Sequence, residues 1–268
     1  VRNEDIDTTR VVDDAFERIL TSLQSFGLDW DTDLQTQHQL TRSQRFCLHQ
    51  TSRIDRYEEA LQYLDKLGLV YGCDCTRKVI RQMPDGYNGH CRDRGLPLTG
   101  NAVRLKLPSV DKFYDELTGW HSTPASLLHE DYIIKRRDGL FSYQLAVVVD
   151  DIDQGITHVV RGADIQPLTG RQLSLYQVFD VLPPKYLHIP LAVSEPGKKL
   201  SKQNHGTAID GHNPLAELLK ALRLLGLPID NEPSLATLSP HQIVDWAVSH
   251  CDISSKNLTL TQHSEIIL

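Results

Sequence analysis

Several things are scarce in this 268-residue sequence, and each scarcity excludes something. Five cysteines are too few for the disulfide scaffold of a small secreted domain. The longest strongly apolar run is Leu145 to Val149, far short of the ~20 residues of a membrane-spanning helix. The opening residues, VRNEDIDTTR, lack the basic and apolar regions of a signal peptide. Together these features lead to the expectation of a cytoplasmic protein with no membrane attachment. Positive charge is also short: the formal net charge is −7, which gives no support to non-specific nucleic-acid binding. Methionine is nearly absent, Met83 being the single one, so the chain opens on Val1. Either a valine codon serves as the start or the sequence begins inside a longer protein. There is no internal repeat, no Walker A sequence and no G-x-G-x-x-G.

What is present reads as a folded α/β chain. Hydrophobic residues make up 40% and charged residues 24%, the balance of an ordinary globular protein of one or two domains. Val11, Val12, Ala15, Ile19, Leu20 and Leu23 form a helical stripe over 11–26 that stops at Gly27. Ile54, Tyr57, Leu61, Leu64 and Leu67 form a second over 53–67, closed by Gly68, with Ser52 and Asp55 at capping-box spacing. Residues 73–100 hold Cys, Gly and Pro with little periodicity and read as a small compact module. Val103 to Leu107 and Asp131 to Lys135 are candidate strands, and Asp138-Gly139 is a turn. An apolar run, Leu145 to Val149, ends in Asp150-Asp151. Ile156 to Val160 is expected to be a buried strand ended by Arg161-Gly162. A helix over 166–180 and a strand from Tyr186 to Val193 follow, an alternation that argues for an α/β sheet. Pro214 to Leu225 is a Leu-rich helix, and Ser239-Pro240 opens another through His250.

Three groups of residues carry chemistry. Cys73, Cys75 and Cys91, with Tyr87 and His90 nearby, suit a zinc ion that would supply the folding energy a loop-rich module lacks. The Cys-x-Cys spacing is equally compatible with three reduced thiols in a turn-rich segment. Cys47 and Cys251 stand alone and read as small buried hydrophobes. Gly197-Lys198-Lys199-Leu200-Ser201-Lys202-Gln203-Asn204 follows a predicted strand and offers mobile charges to a polyphosphate, although a solvated basic loop has the same composition. The run Lys135-Arg136-Arg137 is a second local basic patch. Glu4-Asp5-Ile6-Asp7 is expected to end a strand and present carboxylates to an ammonium group or a metal, or else to cap the next helix. Arg161 ends a predicted strand, where ligands of open α/β sheets bind, and fits a bidentate grip on a carboxylate or phosphate. An ion pair of Arg161 with Asp150 or Asp164 is the competing possibility. Tyr143 adds a hydroxyl to the same region or is a core residue.

Taken in order, VRNEDID (1–7), CDC (73–75), YNGHC (87–91), YQLAVVVDD (143–151), GITHVVRGADI (155–165) and KLSKQ (199–203) resemble the catalytic core of class I glutamyl-type tRNA synthetases. The wording is most similar to the glutamyl-queuosine tRNA(Asp) synthetases, short paralogues of glutamyl-tRNA synthetase, over roughly 1–33 and 48–268. The resemblance implies an α/β fold with a class I Rossmann-like core, a zinc-bearing insertion and a C-terminal helical subdomain. Its parts would be 1–65 (first half of the core, N-terminally incomplete), 66–130 (the insertion), 131–205 (second half of the core) and 206–268 (helical). It implies zinc on Cys73, Cys75, Tyr87 and Cys91, in place of His90. It implies glutamate contacts from Glu4, on the α-amino group, from Tyr143, and from Arg161, on the side-chain carboxylate. Lys199 and Lys202 match catalytic lysines of the KMSKS signature, and Lys202 its ATP-binding lysine.

The implied reaction is ATP-dependent activation of glutamate, with Mg2+ and without tRNA, then transfer to the cyclopentene ring of queuosine in tRNA(Asp) by a monomer. Two departures accompany the resemblance. The family's first strand, its R-x-A-P-S-x-S-G loop and its HIGH signature have no counterpart, which predicts that the isolated chain is unstable or inactive. About thirteen residues around Gln35 to Cys47 also lack one, as in a surface insertion. A non-catalytic, zinc-stabilised RNA-binding remnant and a fragment of a full glutamyl-tRNA synthetase are the alternatives. RNA binding by any of these would need a local basic surface and be strongly salt-sensitive.

Overall fold

In a computed structural model, the described residues are 1–30, 49–84, 86–195, 198–200, 209, 211, 213–251 and 265–267. The segment around Gln35 to Cys47, and Ser201, Lys202 and Gln203 of the lysine loop, lie outside them. In chain order the regular elements are α1 (Ala15–Ser25), α2 (Ile54–Lys66), β1 (Val70–Cys73), α3 (Arg77–Arg81), β2 (Ala102–Leu105), β3 (Lys112–Asp115), β4 (Gly119–Ser122), α4 (Ala125–Leu128), β5 (Tyr132–Lys135), α5 (Tyr143–Asp153), β6 (His158–Gly162), α6 (Thr169–Val178), β7 (Lys185–Ile189), β8 (Leu191–Glu195), β9 (Lys198–Lys199), α7 (Pro214–Leu224), α8 (Pro240–His250) and β10 (Glu265–Ile267). No helix among the described residues is long and apolar enough to cross a membrane.

The strands form three sheets. β1, β2 and β5 pair antiparallel. In the second sheet β3, β7 and β6 run parallel, and β4 joins β3 as a hairpin. β8 pairs with β9 and β10 in the third. The apolar run Leu145 to Val149 is part of α5 and is buried on every side, which places this helix at the centre of the main core. Around it pack Tyr57, Leu61 and Leu64 of α2, Val103 and Leu105 of β2, Ile134 of β5, and Leu175 and Tyr176 of α6. A separate small core, Leu222, Leu227, Ile229, Leu235 and Ile243, belongs to the C-terminal helices, where Cys251 packs as a partly buried neighbour.

Several sequence expectations are corrected. α1 begins at Ala15, after Asp14 in a left-handed conformation (φ 59°). Val11, Val12 and Ile19 of its stripe are exposed, and Leu20 is its buried residue. The capping box of α2 does not form: a 3-10 turn, Gln50–Arg53, enters the helix, and Ser52 Oγ donates to the His49 carbonyl. Glu4 does not end a regular strand, since the chain there makes a single bridge, Asn3 to His49. The buried strand expected over Ile156 to Val160 is β6, which starts later and pairs only with β7 among the described residues. Its outer side is open, leaving Val160 64% exposed. The one strand expected from Tyr186 to Val193 is two. Pro190 carries no N–H and cannot extend a ladder, so the chain leaves the second sheet at Ile189 and enters the third at Leu191.

α8 follows its sequence signature most closely. The Ser239 side chain accepts from Gln242 N, the Gln242 side chain accepts from Ser239 N, and Pro240 occupies the first turn. Ser239→Ala is expected to lower stability by about 1 kcal/mol, read as a shift of the urea midpoint at constant slope.

Candidate active site and metal centre

The cysteine cluster is built on the end of β1. Cys73 closes that strand, and Cys75 lies beyond it before α3, which Thr76 caps through a bond from Val79 N. The loop to β2 returns Tyr87 and Cys91 to the same point. The three Sγ atoms lie within 4.8 Å of one another, and Cys75 and Cys91 are 3.5 Å apart. A tetrahedral ion with Zn–S bonds of about 2.3 Å needs sulfurs about 3.8 Å apart, so the donors fit a thiophilic metal. His90 is exposed and outside this convergence. The Tyr87 hydroxyl is buried beside the thiols, accepting from Cys91 N at 3.0 Å and lying 3.3 Å from the Tyr71 hydroxyl.

Two arginines donate to the sulfurs. Arg104 Nε reaches Cys73 Sγ at 3.2 Å, and its guanidinium lies 3.5 Å over the Tyr87 ring. Arg94 Nη1 reaches Cys91 Sγ at 3.3 Å. Burial works against ionisation of Cys73, but bonds from Tyr87 and Arg104 outweigh it and hold the thiol below its ordinary value. Burial and the neighbouring thiols push Cys75 up to about 12. Asp131 anchors the surround, taking both Nε and Nη2 of Arg92 at 2.5 and 2.6 Å and the hydroxyl of Tyr71 at 2.5 Å.

The second site lies where β6, β7, α5 and α6 meet the N-terminal segment. Arg161 and His188 are register partners on β6 and β7, so their side chains stand on one face. Arg161 Nε donates to His188 Nε2 at 2.9 Å, Nη1 to Gln172 Oε1 at 2.6 Å, and Nη2 to Thr169 Oγ1 at 2.8 Å. Its ring neighbour is Tyr186, 4.7 Å away. These partners are neutral or accepting, and the expected alternative, an ion pair with Asp150 or Asp164, is not what holds Arg161. Asp164 instead meets Lys199 Nζ at 2.5 Å, which brings the start of the lysine loop to the end of β6.

Tyr143 is the first residue of α5. Burial raises its phenol first, the Glu4 carboxylate raises it further, and Arg161 opposes both. Glu4, Tyr143 and Arg161, far apart in sequence, therefore share one electrostatic neighbourhood, together with Arg2 and Asp151. Lys202 lies outside the described residues.

Sequence reasoning missed several members of this site. Arg2 spans Asp151 at 2.7 Å, Gln154 at 3.1 Å and Glu4 at 3.1 Å. Burial raises the Asp151 carboxyl, and Arg2 pulls it back. Asp150, fully buried, collects Gln50 Nε2 at 2.8 Å, Arg53 Nε at 2.6 Å and the Tyr57 hydroxyl at 3.0 Å. The one sequence signal was a pair of aspartates ending an apolar run, which takes on meaning once the run is known to be a buried helix. Behind Arg161, Asp115 receives His188 Nδ1 at 2.7 Å and His188 N at 2.9 Å on one oxygen. Its other oxygen takes Leu117 N, Thr118 N and Thr118 Oγ1. His188 thus carries its proton on Nδ1 and offers Nε2 to Arg161.

Burial disfavours the Asp115 anion, but the His188 and Thr118 bonds prevail and hold its pKa below the ordinary value. A depressed carboxyl stabilises the fold above its unfolded pKa, near pH 4, and that contribution disappears as pH falls through the folded value. Asp115→Asn places an NH2 against one of two all-donor clusters. It is expected to cost about 2–3 kcal/mol at neutral pH and to flatten the acid limb of stability, measured by urea unfolding from pH 3 to 7.

Comparison with known proteins shows the family. Residues 1–254 match the family of tRNA synthetases class I (E and Q), catalytic domain. A glutamyl-Q tRNA(Asp) synthetase from Vibrio vulnificus (strain CMCP6) is 44% identical over 251 residues, covering 93% of this chain and 77% of that protein. One from Pectobacterium atrosepticum is 43% identical over 255 residues, 95% of this chain and 74% of that protein. Among solved structures, a glutamate tRNA ligase from Elizabethkingia meningosepticum, crystallised in complex with its amino acid, superimposes with a TM-score of 0.70 at 22% identity. That match covers 94% of this chain, which spans only 57% of the ligase, and it speaks for the fold alone.

Proposed function

The chain belongs to the class I tRNA synthetase family, among the glutamyl-Q tRNA(Asp) synthetases, and from that premise we propose that it activates glutamate with ATP and passes the glutamyl group to queuosine in tRNA(Asp). One observation supports this most: Arg161 is fixed by three neutral acceptors within reach of the field of Tyr143 and Glu4. A side-chain carboxylate pairs with Arg161 and an α-ammonium with Glu4, so an α-amino dicarboxylic acid satisfies both ends. Tyr143, which feels both charges, is the third contact.

Held this way, the substrate presents its α-carboxylate toward the lysine loop. A carboxylate oxygen attacks the α-phosphorus of ATP, pyrophosphate leaves, and glutamyl-adenylate remains. Lys199 and Lys202 offset the charge that builds on the phosphates, with Lys202 contacting ATP, which is bound with Mg2+. In the second step the queuosine cyclopentene ring takes the acyl group and AMP departs. Most of this catalysis is positioning.

Cys73, Cys75, Tyr87 and Cys91 would hold zinc in a structural role, the ion supplying cross-linking of the loop between β1 and β2. Arg104 and Arg94 orient the thiolates and offset their charge. A cytoplasmic monomer with these parts, its core halves at 1–65 and 131–205, a metal-bearing insertion at 66–130 and a helical subdomain at 206–268, completes the proposal.

The test is glutamate-dependent ATP–pyrophosphate exchange without tRNA, followed by transfer of labelled glutamate to tRNA(Asp) with and without queuosine. Exchange together with queuosine-dependent transfer bears the proposal out and overturns the expectation, drawn from the absent HIGH segment, that the isolated chain is inactive. A folded chain that binds tRNA yet gives no exchange would favour the non-catalytic RNA-binding reading. Exchange that requires tRNA would favour the full glutamyl-tRNA synthetase as its parent.

A further inference from the structure

Gln172 is fixed by what Arg161 lacks. A guanidinium has five N–H groups and no acceptor, so whatever faces it must accept. Gln172 Oε1 therefore points at Arg161 Nη1, at 2.6 Å, which leaves the amide nitrogen to find an acceptor other than Arg161. The side chain is 1% exposed, and Nε2 has no acceptor among the described residues. An unpaired buried donor costs about 1–3 kcal/mol, a penalty a fold retains where a ligand supplies the partner. The helix places it deliberately: Thr169 and Gln172 are three residues apart on α6, one turn, so both project onto β6 and bracket Arg161. Arg161 spends three N–H groups on His188, Gln172 and Thr169 and keeps one on each terminal nitrogen.

We propose that Gln172 is a specificity-determining residue of the amino-acid pocket, its Nε2 donating to the ligand's side-chain carboxylate beside the two remaining N–H groups of Arg161. This rests on the reading of that pocket as a glutamate site. The resulting cradle contains donors only. A carboxylate brings acceptors only and satisfies it. A carboxamide brings an NH2 that must face another donor, so glutamine is rejected by an unpaired contact rather than by size. Sites that leave polar groups unpaired against the wrong ligand discriminate strongly, whereas isosteres are poorly separated by shape.

The experiment measures kcat/KM for glutamate and glutamine in tRNA-free pyrophosphate exchange, for the wild type, Gln172→Glu and Gln172→Met. Gln172→Glu keeps an oxygen for Arg161 but replaces the donor with an acceptor. The expected result is a rise in glutamate KM of about tenfold or more, with the glutamine-to-glutamate ratio raised at least about tenfold, each tenfold corresponding to about 1.4 kcal/mol. Gln172→Met is expected to weaken glutamate without improving glutamine. A ratio unchanged in Gln172→Glu would mean that Gln172 serves only to hold Arg161, and the proposal fails.

Should the variants not fold, a ligand series on the wild type decides the same point. The methyl-ketone isostere of glutamine has an acceptor and no N–H in its side chain, and is expected to compete with glutamate at least about tenfold better than glutamine does. Equal inhibition by the two overturns the all-donor cradle. A wild type that glutamate does not saturate overturns the glutamate reading itself, a result distinct from the failure of Gln172 alone.

Discussion

Arg161→Leu lowers kcat/KM for glutamate in pyrophosphate exchange by about 10²- to 10³-fold, chiefly through KM. The magnitude follows from truncating one partner of a desolvated charge pair, about 2–5 kcal/mol, at about 1.4 kcal/mol per tenfold. Arg161→Lys is expected to recover little. An ammonium carries three N–H groups on one nitrogen and cannot meet His188, Gln172 and Thr169 while also gripping a ligand. Arg161→Leu also takes the Arg161 donors away from His188 Nε2 and Gln172 Oε1, so a modest loss of stability accompanies the kinetic effect. A variant with wild-type KM would place the substrate carboxylate elsewhere.

Removal of the metal is the second large effect. The purified protein is expected to carry one zinc per chain, and Cys91→Ser to carry none. Tyr71, Cys73, Tyr87 and Cys91 form a core of only four buried residues, too small to hold the loop from 74 to 101 alone. A loss of ~4 kcal/mol, well within the ~10–16 kcal/mol measured for structural zinc in finger peptides, lowers Tm by about 10 °C in a domain of this size. Chelator-treated protein should show that drop, with hydrogen exchange rising first over residues 71–96. Zinc retention should strengthen with pH, because each thiol must lose a proton to bind. An unchanged Tm after complete stripping would show that the four-residue core and its Arg92–Asp131 anchor suffice.

Much of this was legible in the sequence, for reasons that can be named. α8 was readable because its signals are local: Ser239 and Pro240 mark its start, although the return bond from Gln242 was not read. The thiol cluster was readable because Cys73, Cys75 and Cys91 are rare residues whose chemistry is narrow. The exposure of β6 was not, because burial of a strand depends on which neighbours lie beside it and not on its own apolar content. The break at Pro190 was available in principle, since a proline inside an apolar run argues against one continuous strand. Gln172, His188 and Asp115 were hidden for a different reason. Each is an ordinary polar residue: parallel pairing of β6 with β7 and of β3 with β7 joins residues 115, 161 and 188 across long stretches of chain, and packing of α6 on β6 adds Gln172.

The enclosure of Asp150 has a consequence for how such sequences diverge. Gln50, Arg53, Tyr57 and Arg2 approach that carboxylate from two separate stretches of chain, and no water-facing side remains. Removing one partner from a buried pair costs about 3–5 kcal/mol, whereas replacing the whole set with apolar groups is often neutral. Mutational paths through these positions are therefore steeply epistatic. Single steps pass through a poorly folded intermediate, and descendants that lose Asp150 should have changed Arg53 as well. Drift at this cluster is expected to be rare and, where it occurs, to arrive as a block.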